Sequence, residues 1–153
     1  MTFTTFGAIM GFAAEMVGQA EEIYGILSQE AEEPELKEIL TTLLEEGRRN
    51  RPLMERMRRE NVTEMILEPI TELPWEDYKI HHSVQGRMGD ADILKLALAL
   101  EERERKFFQD ASSKLSLPEV ASRLRKMVRK KEENLARLER LGMRPSFKGI
   151  FVD

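Results

Sequence analysis

The chain has 153 residues, 24 Lys and Arg against 28 Asp and Glu, a formal charge of -4 and no cysteine. Disulfides, thiolate zinc sites, iron–sulfur clusters and thiol nucleophiles are thereby excluded, and the acidic balance gives no general reason to bind nucleic acid. A charged fraction of 34% beside 41% apolar residues suits an amphipathic helical protein, read as a single domain over 1–153.

Apolar residues recur at steps of three and four in four segments, the signal of amphipathic helices. The first helix is predicted near 6–32, with the stripe Met10, Ala13, Val17, Ala20, Tyr24, Leu27 and Ala31. Its start, Phe6 to Val17, contains Glu15 and is too short to span a bilayer. With no basic leader ahead of it, the protein is read as soluble and cytoplasmic, with no membrane partner. The same run is apolar on every side and must be covered on every side, so a homodimer through this helix is expected.

The second helix is predicted near 34–59, with Leu36, Leu40, Leu43, Gly47, Asn50, Met54 and Met57 on one face. Pro34 suits its first turn, and Pro52 should kink it. A long crossover follows from Arg59 to Gly89, where Leu73-Pro74-Trp75 and Tyr78 are expected to pin the connection to the bundle. His81 and His82, beside Glu76 and Asp77, are the only histidines. They read as solvated loop residues, with a surface metal site as the alternative.

The third helix is predicted near 90–116, with Leu94, Ala97, Glu101, Glu104, Phe108, Ala111 and Leu115 in line and Asp90 as its N-cap. The fourth, near 118–141, carries Val120, Leu124, Met127, Lys131, Asn134, Leu138 and Leu141. Pro118 suits its first turn, Ser116-x-x-Glu119 has capping-box spacing, and Gly142 with Pro145 reads as its stop. The basic run Arg123, Arg125, Lys126, Arg129, Lys130 and Lys131 reads as a solvated, salt-bridged face; contact with phosphate or an acidic partner is the alternative. The methionines read as gap-filling core. The apolar tail from Phe147 is expected to cover the core or to make a dimer contact.

The chain also repeats itself. Moved by 84 positions, residues 9–57 fall on 93–141 without a gap: Ile9 on Ile93, Ser28 on Ser112, Pro34-Glu35 on Pro118-Glu119, Asn50 on Asn134. Tyr24 meets Phe108. Short links within each half make each an antiparallel helical hairpin. Two such hairpins joined by a long crossover give an all-α, ferritin-like four-helix bundle.

At equivalent depth the four stripes turn polar: Val17 and Ala20, Gly47 and Asn50, Glu101 and Glu104, Lys131 and Asn134. Ala20-Glu-Glu-Ile-Tyr24, Glu104-Arg-Lys-Phe-Phe108, Pro34 to Leu40 and Leu43 to Asn50 resemble the helical patterns of rubrerythrin-like proteins of the ferritin-like superfamily. The resemblance implies a di-iron site of two glutamates and two Glu-x-x-His pairs. Those positions fall here on Val17, Glu101, Gly47-x-x-Asn50 and Lys131-x-x-Asn134, so only Glu101 matches. Asparagine is a poor iron ligand and an ammonium repels a cation. No catalytic residue, metal or cofactor is therefore expected, and Asn50, Glu101, Glu104, Lys131 and Asn134 are read as a polar cluster in the core. In it Lys131 should approach Glu101 or Glu104, with both asparagines completing the hydrogen bonds. The function expected is that of a binding or structural bundle. The alternative is an iron-binding oxidoreductase that uses Glu101 and Glu104 with Glu15 and Glu46.

Overall fold

The computed structural model describes residues 2–3, 5–65, 73–74, 78, 86–115 and 117–147. Four helices form an all-α bundle: α1 Phe6–Glu30, α2 Pro34–Met65, α3 Asp90–Lys114 and α4 Pro118–Gly142. Adding 84 to Phe6, Glu30 and Pro34 gives Asp90, Lys114 and Pro118, so the two halves share three helix boundaries. α1 packs on α2 and α3 on α4 as hairpins. Two short strands, β1 Thr2–Phe3 and β2 Leu73–Pro74, pair antiparallel and tie the crossover to the start of the chain.

Local chemistry sets the boundaries. Thr5 caps α1, its hydroxyl accepting from the Ala8 amide at 3.1 Å. Pro34 and Pro118 open α2 and α4, where a missing amide proton costs nothing. Helix α2 continues through Pro52 to Met65. Two capping expectations need correction. Asp90 is the first residue of α3 rather than its cap; Gly89 precedes it. Its carboxylate instead accepts from the Glu32 and Glu33 amides at 2.9 Å each, fastening α3 to the link between α1 and α2. That use satisfies amides which would otherwise have no partner at the entry to α2. Before α4 stands Leu117, which has no side chain able to cap; Ser116 lies outside the described residues.

Two apolar clusters fill the bundle. One joins the start of α1 (Phe6, Ile9, Met10, Ala13), the end of α2 (Met54, Met57), the end of α3 and the start of α4. The other joins the end of α1 (Tyr24, Leu27), the start of α2, the start of α3 (Ile93, Leu94, Ala97) and the end of α4. α3 therefore runs antiparallel to α1. α2 ends at the level where α1 begins, while α3 begins at the opposite level. The crossover must travel the bundle's length, about 37 Å for a 25-residue helix. Each fully buried Leu, Ile or Phe in these clusters contributes roughly 1.5–3 kcal/mol relative to exposure.

The pinning residues lie partly in view. Tyr78 is buried, meets Phe107 edge-on with centroids 5.0 Å apart, and donates to the Asp110 carboxylate at 2.7 Å. Leu73 and Pro74 supply the backbone of β2. Trp75, His81 and His82 lie outside the described residues. Phe147, in a short 3-10 turn after α4, is buried in the second cluster, so the tail covers core at this point. The apolar start of α1 is largely covered inside the protomer. Phe6, Ile9, Met10, Ala13, Met16 and Val17 are buried, and the outward positions are filled by small residues, Gly7, Ala8, Gly11 and Ala14. Among the described residues no helix is long and apolar enough to cross a membrane.

Candidate functional site: a buried charge cluster

Between the two apolar clusters lies a layer of charge. α4 brings in Lys131 and Asn134, α3 brings Glu101 and Glu104, and α2 brings Glu46; all five are buried. The Lys131 ammonium sits 2.8 Å from Glu101 Oε2, 3.2 Å from Glu46 Oε1 and 3.7 Å from Glu104 Oε1. The Asn134 amide donates to Glu101 Oε1 at 2.9 Å and to both oxygens of Glu46 at 3.1 and 3.2 Å. One lysine and one asparagine, a single turn apart on α4, thus bridge carboxylates from two other helices.

The structure brings together Glu101, Glu104, Lys131 and Asn134, as the polar stripes suggest. It leaves Asn50 out: that residue is half-buried and lines a surface groove between α2 and α4. Its place at the carboxylates is taken by Glu46, one turn earlier on α2. The alternative ligand set fails in the opposite way. Glu46 reaches the cluster with no change of register, whereas Glu15 is exposed and lines a separate surface cavity beside Arg58 and Arg59.

Arg103, which sequence reasoning passed over, belongs to the same layer. Its guanidinium donates to Gln19 Oε1 at 2.8 Å and to the Met16 carbonyl at 3.3 Å, tying α3 to α1. Gln19 is the residue 84 positions earlier, so equivalent positions of the two halves touch, as expected near a pseudo-two-fold axis. The sequence signal was available: Arg103 continues the apolar line Leu96, Leu100, Phe107, and Glu46 continues Ile39, Leu43. Both stand beside the stripe drawn through the middle of their helix.

Charge balance follows from these neighbours. Burial pushes the Glu104 carboxyl up to about 7; Lys131 and Arg103 oppose the rise while Glu101 and Glu46 add to it. Burial also raises Glu101, against the pull of Lys131. For Lys131 burial disfavours the charge, but Glu101, Glu104 and Glu46 outweigh it and hold the ammonium protonated. A proton on Glu104 reduces the negative charge that Lys131 must offset in this buried layer, where unpaired charge is costly. Burial, then Glu101 and Glu104, likewise keep the Tyr24 hydroxyl protonated; it is buried with no hydrogen-bond partner among the described residues.

Three convergent carboxylates are a natural cation site, and the cation they hold is the lysine. An ammonium at 2.8–3.7 Å from all three occupies the space and satisfies the charge that a metal would claim. Soft or nitrogen donors are missing as well, since Asn134 offers its amide nitrogen to the carboxylates as a donor. Among the described residues no group of three or more His, Asp or Glu is disposed to hold a metal ion. The di-iron set implied by the rubrerythrin resemblance does not fit these residues. Comparisons with family models, with curated proteins and with solved structures found no match.

Proposed function

We propose that the chain is a ferritin-like bundle that works without a metal, as a binding or structural protein whose middle layer is held by an internal cation. The observation that carries this reading is the Lys131 ammonium among Glu46, Glu101 and Glu104. The 84-residue repeat supports the ferritin-like part. Most of the apolar start of α1 is covered inside the protomer, and a homodimer through what is left of it is a separate proposal.

Metal analysis tests it. Protein purified from iron-supplemented cells should carry far less than one iron per chain, and Glu101→Ala should not change the content. Stoichiometric iron that disappears in Glu101→Ala overturns the proposal in favour of an iron-binding oxidoreductase. In the other direction, Val17→Glu, Gly47→Glu, Asn50→His, Lys131→Glu and Asn134→His combined should create iron affinity. The Gly47 change needs Glu21 to yield, since even a Cβ there would stand 3.3 Å from Glu21 Cβ.

A further inference from the structure

The basic run on α4 does not behave as one face. Lys131 turns into the core, Arg125 and Arg129 are exposed to solvent, and Arg123, Lys126 and Lys130 line a groove of about 540 Å³ against α2. The opposite wall carries Glu46, Arg49, Asn50 and Leu53. Each wall uses residues at steps of 0, 3, 4 and 7, so two helical stripes face each other along the groove.

Three features of the groove point to a ligand. Four cations converge on it in a chain whose net charge is -4. A solvated, salt-bridged face would give these cations carboxylate partners. Lys130 has one, Glu133 at 3.7 Å, but among the described residues Arg49, Arg123 and Lys126 have no carboxylate within 4 Å. The single acid in the lining, Glu46, is already neutralised by Lys131 at 3.2 Å and bonded to Asn134, so it does not cancel the field of the groove. Finally, Leu53 and Met127 place an apolar surface between the cations, and Asn50 adds an amide able to donate and accept. The volume lies in the range of small-molecule sites.

We propose that the groove between α2 and α4 binds a small phosphate ester that carries an apolar or aromatic group, its phosphate held by Arg49, Arg123, Lys126 and Lys130 and its apolar part against Leu53 and Met127. Arginine supplies a planar fork for phosphate oxygens and lysine a point charge, the combination that anion sites use. The proposal does not depend on the metal-free reading of the core, and its test does not read metal.

Isothermal titration calorimetry with 1-naphthyl phosphate tests it, with inorganic phosphate and 1-naphthol as the two halves of the probe. The expected result is one saturable site per chain, weakened at least tenfold in Lys126→Glu and in Arg123→Glu and unchanged in Arg125→Glu and Arg129→Glu. All four positions are exposed on the same helix, so circular dichroism should report the same fold for each. Inorganic phosphate should bind more weakly than the ester and naphthol should not bind, and added salt should weaken the ester. No saturable binding of the ester overturns the proposal. So does equal loss in both pairs of variants, which would mark a diffuse basic surface. Tight binding of anionic vesicles or RNA with equal loss in both pairs overturns it in the same way.

Discussion

At the depth where the first hairpin places Val17, Ala20, Gly47 and Asn50, the second places Glu101, Glu104, Lys131 and Asn134. The backbone frame around them is common, with α1 and α3 of equal length and α2 and α4 opened by proline. In the first hairpin the helices approach closely at Gly47, where an added Cβ would crowd Glu21. In the second, the position equivalent to Gly47 is Lys131, whose long side chain crosses the layer to reach Glu46 of the first. The two halves thus share three helix boundaries and differ in their middle: the first hairpin brings one carboxylate, Glu46, and the second brings Glu101, Glu104 and the Lys131 cation. Lys131 and Asn134 of the second hairpin both bind Glu46 of the first, so the charged layer is shared between the two halves.

The largest break in this arrangement is Lys131→Met. It keeps length and removes the cation from three buried carboxylates. We expect a loss of about 3–5 kcal/mol, the usual cost of removing one partner from a buried pair. Urea unfolding at neutral pH checks it. A loss below about 1 kcal/mol would mean that water reaches the ammonium, contrary to its 3% exposure.

The next effect is pH-dependent and comes from Glu104. Its carboxyl is raised in the folded state to about 7 from an ordinary 4.5. Between those values the folded state holds more protons than the unfolded one, so stability from this group is complete below about pH 4.5 and is lost as pH rises through about 7. Glu104→Gln mimics the protonated form. It should be close to neutral at pH 4 and should raise stability near pH 8 by an amount on the order of 3 kcal/mol. Denaturation midpoints of both proteins across pH 4–8 should diverge as pH rises. Curves that stay parallel would place the surplus proton elsewhere in the layer.

Most helix boundaries are legible in the sequence, because proline marks the starts of α2 and α4 and the apolar steps and the 84-residue repeat report the others. The end of α2 is not, since the helix runs on to Met65, past the expected start of the crossover at Arg59. The polar layer is legible too: charge at core positions interrupts an otherwise apolar stripe. What escapes is the width of the stripe. A buried helix face spans more than one line of residues, so Glu46 and Arg103, each one line over, enter the layer while Asn50, on the line itself, does not. Asp90 escapes for a different reason. Its spacing before α3 fits a local cap, but its partners are 57 and 58 residues away, on the loop ahead of α2. Local capping rules cannot see a contact that only the packed hairpins create.

The smallest expected effect contrasts the two asparagines that the repeat makes equivalent. Asn134 donates to carboxylates of two helices, and its neighbours are buried; removing it leaves Glu46 and Glu101 short of a donor. Asn134→Ala should therefore cost about 1–3 kcal/mol, the price of leaving a buried acceptor unmet. Asn50 lies half-buried at the groove, where solvent can replace what its amide does. Asn50→Ala should stay within about 0.5 kcal/mol, as a surface change does. Because Lys131 and Asn134 share Glu46 and Glu101, Asn134→Ala combined with Lys131→Met should depart from the sum of the single effects by more than about 0.5 kcal/mol. Asn50→Ala combined with Lys131→Met should add simply. If instead the two asparagines behave alike in these cycles, the layer is symmetric in energy, and the division of roles between the hairpins is wrong.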